Sequence, residues 1–207
     1  LLEFLRFFVL FDRKVGKVVA RYQQFFGIRA LLSRIQQRRP DGGREGGIVW
    51  HTTGSGKSFT MVFLTKALVV HEDLQACRVV VVTDRVDLED QLARNFISSS
   101  AFGSVIATKK EGEKVRAKTG RQLAKRIGQG AERIIFTLIH KFATASRQPE
   151  CYNPSPDLIV LVDEGHRSHG GETHERMKKS LPLASYVAFT GTPLLKKEKA
   201  ANKFGPI

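Results

Sequence analysis

The sequence predicts an α/β domain built on a mostly parallel β-sheet with helices on both faces. Apolar, β-branched runs of strand length alternate along the chain with segments of helical periodicity. The runs lack the apolar-polar alternation of a half-exposed strand, so we expect a sheet covered on both sides. Polar clusters follow three of these runs. Because ligands bind beyond the carboxyl ends of parallel strands, these clusters predict a binding site at one edge of the sheet.

The elements follow in chain order. The apolar opening segment, residues 1–11, is expected to be a strand or amphipathic segment packed on the core, and it lacks the basic leader of a signal peptide. Apolar residues at helical spacing predict a helix over 18–38, and the Gly- and Pro-rich stretch 40–47 predicts a loop. Strands are predicted at 48–50, 78–84, 104–108, 133–138, 158–164 and 185–191, and further helices at 57–71, 86–96 and 111–129.

The charge balance predicts a polyanionic partner. Lys and Arg total 34 against 20 Asp and Glu, which gives a net charge of +14 and a pI near 10.1. Cationic side chains that neutralise phosphates release condensed counterions, so nucleic acid is the expected partner. No apolar run reaches the length of a membrane span, so no membrane partner is expected. Cys77 and Cys151 lack metal-ligand spacing and fit a reducing cytoplasm.

The segment HTTGSGKS, which begins at His51, resembles a phosphate-binding loop between a strand and a helix. Gly54 and Gly56 let the backbone curl, so that successive N–H groups point at phosphate oxygens. Lys57 can reach the β- and γ-phosphates of ATP, and the Ser58 hydroxyl can bind Mg²⁺. His51 stands where the P-loop pattern has its first glycine. The predicted nucleotide-binding residues of this loop are Thr52, Thr53, Gly54, Ser55, Gly56, Lys57, Ser58 and Phe59.

The run LIVLVDE ends in two adjacent acids that predict a metal site and a catalytic base. Asp163 is expected at the sheet edge where the phosphate loop opens, and there it can hold Mg²⁺ opposite Ser58. Glu164 is expected to orient or deprotonate the attacking water. His166 is close enough in sequence to sense the γ-phosphate. The candidate catalytic residues are therefore Lys57, Asp163, Glu164 and His166.

Three histidines near the acidic pair allow a different interpretation, a metal site of their own. His166, His169 and His174 are separated by segments that give no helical register, and no Cys or Asp completes a ligand set. We therefore favour the nucleotide interpretation.

The motifs VWHTTGSGKS, VTDRVDLEDQ, LIHKF, VDEGHRSHGG and FTGTP, in this order, resemble the first lobe of superfamily 2 helicases and translocases. With RYQQFF they are most similar to the restriction (R) subunit of type I restriction enzymes. The resemblance implies a RecA-like P-loop NTPase lobe over residues 21–207, preceded by a linker segment over residues 1–20. It implies an ATP-dependent translocase of double-stranded DNA that uses ATP and Mg²⁺ and works with modification and specificity subunits.

The resemblance also implies roles for single residues. Gln24, three residues after Arg21, corresponds to the glutamine that recognises adenine, with Gln23 as the alternative. The residues corresponding to DNA-backbone contacts are Asp84, Arg85, Thr137, His140 and Lys141. Those corresponding to residues that couple the nucleotide state to DNA contact are Thr190, Gly191 and Thr192.

Two features of that family are missing from the sequence. Nothing after FTGTP is long enough to be the second lobe that supplies arginines to the γ-phosphate, so hydrolysis by this chain alone is expected to be very weak. No Glu is followed two residues later by Lys, so the nuclease tripeptide is absent and no DNA cleavage is expected. The alternatives are a non-hydrolysing DNA-binding module, another superfamily 2 DNA helicase, or a small-molecule P-loop kinase, against which FTGTP and the basic surplus argue.

Overall fold

The structure, a computed structural model, describes residues 2–12, 16–52, 54–74, 76–98, 116–163 and 171–191. Its strands are β1 (Val9–Asp12), β2 (Gly16–Val19), β3 (Gly47–Trp50), β4 (Arg78–Thr83), β5 (Ile134–Leu138), β6 (Leu158–Asp163) and β7 (Ser185–Thr190). Its helices are α1 (Leu2–Phe8), α2 (Tyr22–Gln36), α3 (Lys57–Val70), α4 (Val86–Ser98), α5 (Gly120–Gln129), α6 (Phe142–Ala145) and α7 (Gly171–Ser180). Short 3₁₀ turns cover Glu72–Leu74, Ile139–Lys141 and Pro149–Cys151.

Five strands form one parallel sheet in the order β3-β7-β6-β4-β5. The predicted α/β class and five of the six predicted strands are thereby confirmed, and the sixth, 104–108, lies outside the described residues. Because all five strands run the same way, the segments that follow them emerge at one edge, here called the carboxyl rim. The strand before the phosphate loop, β3, is joined to the acid-bearing β6 through β7 alone.

Each face of the sheet packs against its own layer of helices. In β4, Val79 and Val81 belong to the core on the side of α1 to α4, whereas Val80 and Val82 belong to the core on the side of α5 to α7. The alternation follows from the two-residue period of a strand. A slip of one residue would turn each side chain of the strand to the opposite face of the sheet.

The N-terminal segment packs on the domain as a helix followed by a hairpin. The Phe8 side chain is fully buried in the α1–α4 core, and Leu10 in β1 joins it. Strands β1 and β2 pair antiparallel, with Leu10 opposite Val18. The expectation that this opening segment packs on the core is confirmed. Its role as a linker between domains stays a prediction.

Two predicted helices are shorter than expected. The predicted helix over 18–38 begins only at Tyr22, because the β-branched Val18 and Val19 pair with β1 instead. Within the described part of 111–129, the helix begins at Gly120, where the Thr119 side chain accepts a hydrogen bond from Gln122 N and caps the helix. Residues 116–118 run beside β5 rather than continuing the helix.

Within the described ranges, no helix combines the length and apolarity needed to cross a bilayer.

Candidate functional site

The phosphate loop leaves the carboxyl end of β3 and leads directly into α3. Gly54 has φ 81° and Gly56 has φ 95°, values in the left-handed region that favours glycine. Ser55 N donates to Thr52 O at 3.1 Å, which closes the turn. Gly56 then caps α3, and Thr60 N donates to Gly56 O at 3.0 Å as the helix starts. The loop therefore presents its backbone at a helix N-terminus, where N–H groups and the helix dipole favour an anion.

His51 braces this loop from the position where the P-loop pattern has glycine. Its Nδ1 contacts the Ser55 hydroxyl, and its Nε2 lies 3.0 Å from Thr60 Oγ1. Burial lowers the pKa of His51 below its ordinary value, and the nearby positive charge of Lys57 lowers it further. A neutral imidazole thus links the middle of the loop to the first turn of α3. The departure from the pattern replaces a small residue with a side chain that holds the loop in shape.

Lys57 and Asp163 meet at the carboxyl rim. The Nζ of Lys57, the first residue of α3, lies 2.9 Å from Oδ1 of Asp163, the last residue of β6. The strand register aligns them, because Phe189 in β7 pairs with Val49 on one side and with Asp163 on the other. The Asp163 carboxylate is 3% exposed. A buried carboxylate beside the phosphate loop is thus held next to a cation.

The other predicted loop and catalytic residues are only partly described. Ser58 lies half-buried in the first turn of α3, directly after Lys57. Phe59 is partly buried and packs against the α1–α4 core, so its side chain contributes to packing. Four of the predicted site residues lie outside the described residues, namely Thr53, Glu164, His166 and Thr192.

Gln24 binds the phosphate loop itself. This residue is 5% exposed, and its amide is turned inward. Oε1 accepts from Arg21 N at 2.8 Å, while Nε2 donates to Gly56 O at 3.2 Å and to Thr60 Oγ1 at 3.0 Å. Both amide hydrogens are therefore used within the protein. The adenine role implied for Gln24 stays a prediction, and this arrangement adds a second role, which is to fix the loop.

A cavity of about 200 Å³ opens beside the loop. Sequence reasoning identified its glutamines and loop residues but not Arg21 or Trp50, which also line it. The sequence offers one indication that Trp50 belongs to the site. It comes immediately before the loop, at the exposed end of a strand whose other residues are buried or partly buried. The lining residues are Arg21, Gln23, Gln24, Trp50, His51, Thr52 and Ser55.

Four of the five predicted DNA-contact residues lie at the carboxyl rim, after neighbouring strands. Asp84 and Arg85 follow β4, and His140 and Lys141 follow β5, which pairs with β4. Arg85 and His140 are exposed, and Asp84 is partly exposed. Exposed polar groups thus line this part of the rim.

Thr137 differs from the other predicted DNA-contact residues. It lies within β5, one position before its end, and its side chain is fully buried, so its role in DNA contact stays a prediction. The side chain of Lys141 makes its contacts within the protein. Its Nζ donates a hydrogen bond to Ala117 O at 2.6 Å and lies 3.5 Å from the buried Glu89 carboxylate. Its side chain is 12% exposed.

Thr190, the first of the predicted coupling residues, ends β7, the strand that lies between β3 and β6. Thr190 is buried and is the register partner of Trp50. Its carbonyl accepts a hydrogen bond of 2.8 Å from His51 N. Gly191 follows at the rim and is partly exposed. Backbone contacts therefore tie the end of β7 directly to the start of the phosphate loop.

With this geometry established, the comparisons with known proteins identify the family. The family model for the SWI2/SNF2 ATPase matches residues 23–207. The chain belongs to the SWI2/SNF2 ATPase family.

Two curated relatives of this SWI2/SNF2 ATPase are endonuclease subunits of type I restriction enzymes, which confirms the resemblance inferred from the motifs. The MjaIXP subunit of Methanocaldococcus jannaschii is 35% identical over 97% of the chain and 18% of its own length. The HindI subunit of Haemophilus influenzae is 36% identical over 96% of the chain and 20% of its own length. The chain thus spans about a fifth of the length of these relatives.

Solved helicases share the fold of the chain. The UvsW helicase of bacteriophage T4 superposes with a TM-score of 0.63 at 14% identity, over 96% of this chain and 62% of that one. The Hef helicase domain of Pyrococcus furiosus gives a TM-score of 0.63 at 15% identity, over 90% of this chain and 37% of that one. The RecA-like fold expected from the motifs is confirmed.

Proposed function

We propose that this chain is the ATP–Mg²⁺-binding motor lobe of a double-stranded DNA translocase, within the R subunit of a type I restriction enzyme. The observation that carries the proposal is the 2.9 Å contact between Lys57 Nζ and Asp163 Oδ1 beside the glycine loop. A cation and a buried carboxylate at a helix N-terminus are the groups that a nucleotide triphosphate and its metal require.

The residues at this rim fit Mg²⁺. The buried Asp163 carboxylate and the Ser58 hydroxyl supply oxygen ligands, which Mg²⁺ prefers. The ion would neutralise negative charge on the phosphates. Lys57 would bind the β- and γ-phosphates, and the loop N–H groups would cradle them. The 2.9 Å contact with Lys57 also neutralises the charge of the Asp163 carboxylate.

The remaining steps are assigned to residues near the end of β6 and β7. Glu164 would orient or deprotonate the attacking water, and His166 would sense the γ-phosphate. Thr190, Gly191 and Thr192 would couple the nucleotide state to DNA contact, an assignment supported by the bond between Thr190 O and His51 N. Appreciable hydrolysis would need arginines from a second lobe.

Replacing Asp163 by Asn tests the metal assignment. We expect the wild-type protein to bind ATP much more tightly with Mg²⁺ than with EDTA, because the metal screens repulsion between the triphosphate and the buried carboxylate. Asp163→Asn keeps the shape of the side chain but removes its charge, so most of the difference between Mg²⁺ and EDTA should disappear in calorimetric titrations. Asp157→Asn, at the opposite edge of the sheet, is the control. An unchanged Mg²⁺ dependence in Asp163→Asn would contradict the assignment.

Double-stranded DNA is the proposed polymer partner. The net charge of +14 and the exposed Arg85 and His140 at the carboxyl rim support phosphate contacts. Such contacts carry little sequence information, so target choice would belong to the specificity subunit of a complex that also contains a modification subunit. The two buried free cysteines are consistent with a reducing cytoplasm.

We expect DNA affinity to fall roughly tenfold or more between 50 and 200 mM salt, because each phosphate contact releases counterions. Arg85→Ala should lower the slope of log K against log salt by about 1. Arg29→Ala is the matched control. Both side chains are more than half exposed and lie near one acid, Arg85 at 3.7 Å from Asp87 and Arg29 at 3.6 Å from Glu3. If the wild type, Arg85→Ala and Arg29→Ala gave the same slope of log K against log salt, Arg85 would not be a DNA phosphate contact.

A further inference from the structure

We infer that Trp50 is the residue on which the base of the bound nucleotide stacks. The inference rests on the proposed ATP-binding function and adds the base-binding surface to it. Trp50 ends β3, the strand that leads into the phosphate loop, and its side chain lines the cavity beside that loop.

The exposure of Trp50 is the first argument. It is 56% exposed, whereas tryptophan is usually well buried because its large apolar surface gains from leaving water. Its strand neighbours Ile48 and Val49 pack into the two cores on either side of the sheet. An indole left open at the end of such a strand offers a flat apolar face to a ligand.

The continuity of the cavity is the second argument. Thr52 and Ser55, which belong to the phosphate loop, line the same cavity as Trp50. A nucleotide with its phosphates on the loop therefore has an adjoining concavity for its base. The volume, about 200 Å³, lies below the range of roughly 300–1,000 Å³ for whole-ligand pockets and suits a single ring system.

The hydrogen bonding of Gln24 is the third argument. Its amide binds Gly56 O, Thr60 Oγ1 and Arg21 N, so its donors are directed to the protein and not to the cavity. The adenine contact predicted for Gln24 would therefore need support from the other groups that line the cavity. Trp50 supplies the aromatic face, and the exposed Gln23 and Arg21 supply polar groups at its side.

Stacking would add affinity without choosing between bases, because every base has a π-face. Trp50→Ala should therefore weaken ATP and GTP by a similar factor, about tenfold or more from the usual strength of base–aromatic stacking. Trp50→Phe should retain most of the affinity. Inorganic tripolyphosphate, which lacks a base, should bind wild type and Trp50→Ala equally well.

The chain provides its own reporter, because Trp50 is its one tryptophan. Saturating ATP–Mg²⁺ should change the tryptophan fluorescence of the wild-type protein. Tripolyphosphate–Mg²⁺ should also bind, as measured by calorimetry, but should change the fluorescence much less. Tyr152→Ala is the matched control and should bind ATP as the wild type does, since Tyr152 is 61% exposed and lines a different cavity from that of Trp50.

Two results would overturn the inference while leaving ATP binding intact. Trp50→Ala could bind ATP as tightly as wild type, which would assign the indole to another surface such as a second lobe. It could instead lose ATP and tripolyphosphate equally, which would mean that Trp50 shapes the loop. Failure of the wild-type protein to bind either ligand would overturn the proposed function and this inference together.

Discussion

Lys57→Ala is expected to weaken ATP–Mg²⁺ binding by about 100-fold or more. Lys57 is the cation that would contact the triphosphate, and charge-assisted hydrogen bonds contribute roughly 1.5–3 kcal/mol each, with about 1.4 kcal/mol per tenfold in affinity. Two such bonds, to the β- and γ-phosphates, account for the expected loss. Calorimetry on the folded variant is the measurement. Lys125→Ala, an exposed lysine on α5, should bind ATP as wild type does.

The same substitution also acts on stability, and this effect must be separated from binding. It removes the cation 2.9 Å from the buried Asp163 carboxylate, which costs of the order of 3 kcal/mol when one partner of a buried pair is lost. The double variant Lys57→Ala/Asp163→Asn removes that charge and should recover much of the unfolding free energy without recovering ATP affinity. ATP affinity equal to wild type in Lys57→Ala would refute the phosphate role.

Gly46→Ala is expected to lower the free energy of unfolding by about 3 kcal/mol or more. A Cβ at Gly46, just before β3, would lie 2.2 Å from Tyr186 O in β7, and a backbone carbonyl cannot move aside without shifting the strand. Overpacking of a tight site typically costs about 1–3 kcal/mol, and contact with backbone places this position at the upper end. Urea denaturation measures the change.

Gly27→Ala is the control for the same chemical change. Gly27 lies within α2, and a Cβ there would meet nothing within 4 Å. Alanine has the higher helix propensity, so this variant should be more stable by about 0.5–1 kcal/mol. If both variants were destabilised equally, the close approach of Gly46 to β7 would not be the cause.

The sheet and the phosphate–acid pair were predictable because they depend on local patterns. An unbroken run such as that from Val79 to Val82 predicts a strand buried on both faces. Parallel strands expose their carboxyl ends together, and this predicts from the sequence alone that Lys57 and Asp163 lie at one rim. Both predictions need only the period of the pattern and the direction of the strands.

Side-chain direction was harder to predict. Thr137 resembles a rim residue by motif, yet it falls one position inside β5, where burial on both faces encloses it. The side chain of Gln24 turns inward, where its amide donates a hydrogen bond to the carbonyl of Gly56 in the loop. The two residues lie 32 positions apart in the chain. The pairing of Val18 with Leu10 likewise overrides a helical pattern. Such outcomes depend on contacts between distant segments, which spacing alone does not encode.

The position of β7 makes it a mechanical link between the two halves of the site. Phe189 is the register partner of Val49 on one side and of Asp163 on the other. Thr190 O accepts a hydrogen bond from His51 N. Any sliding or tilting of β7 must alter the gap that Lys57 spans. A displacement of the chain at Gly191 would therefore be transmitted through the backbone to the phosphate loop and to Asp163, without any side chain having to relay it.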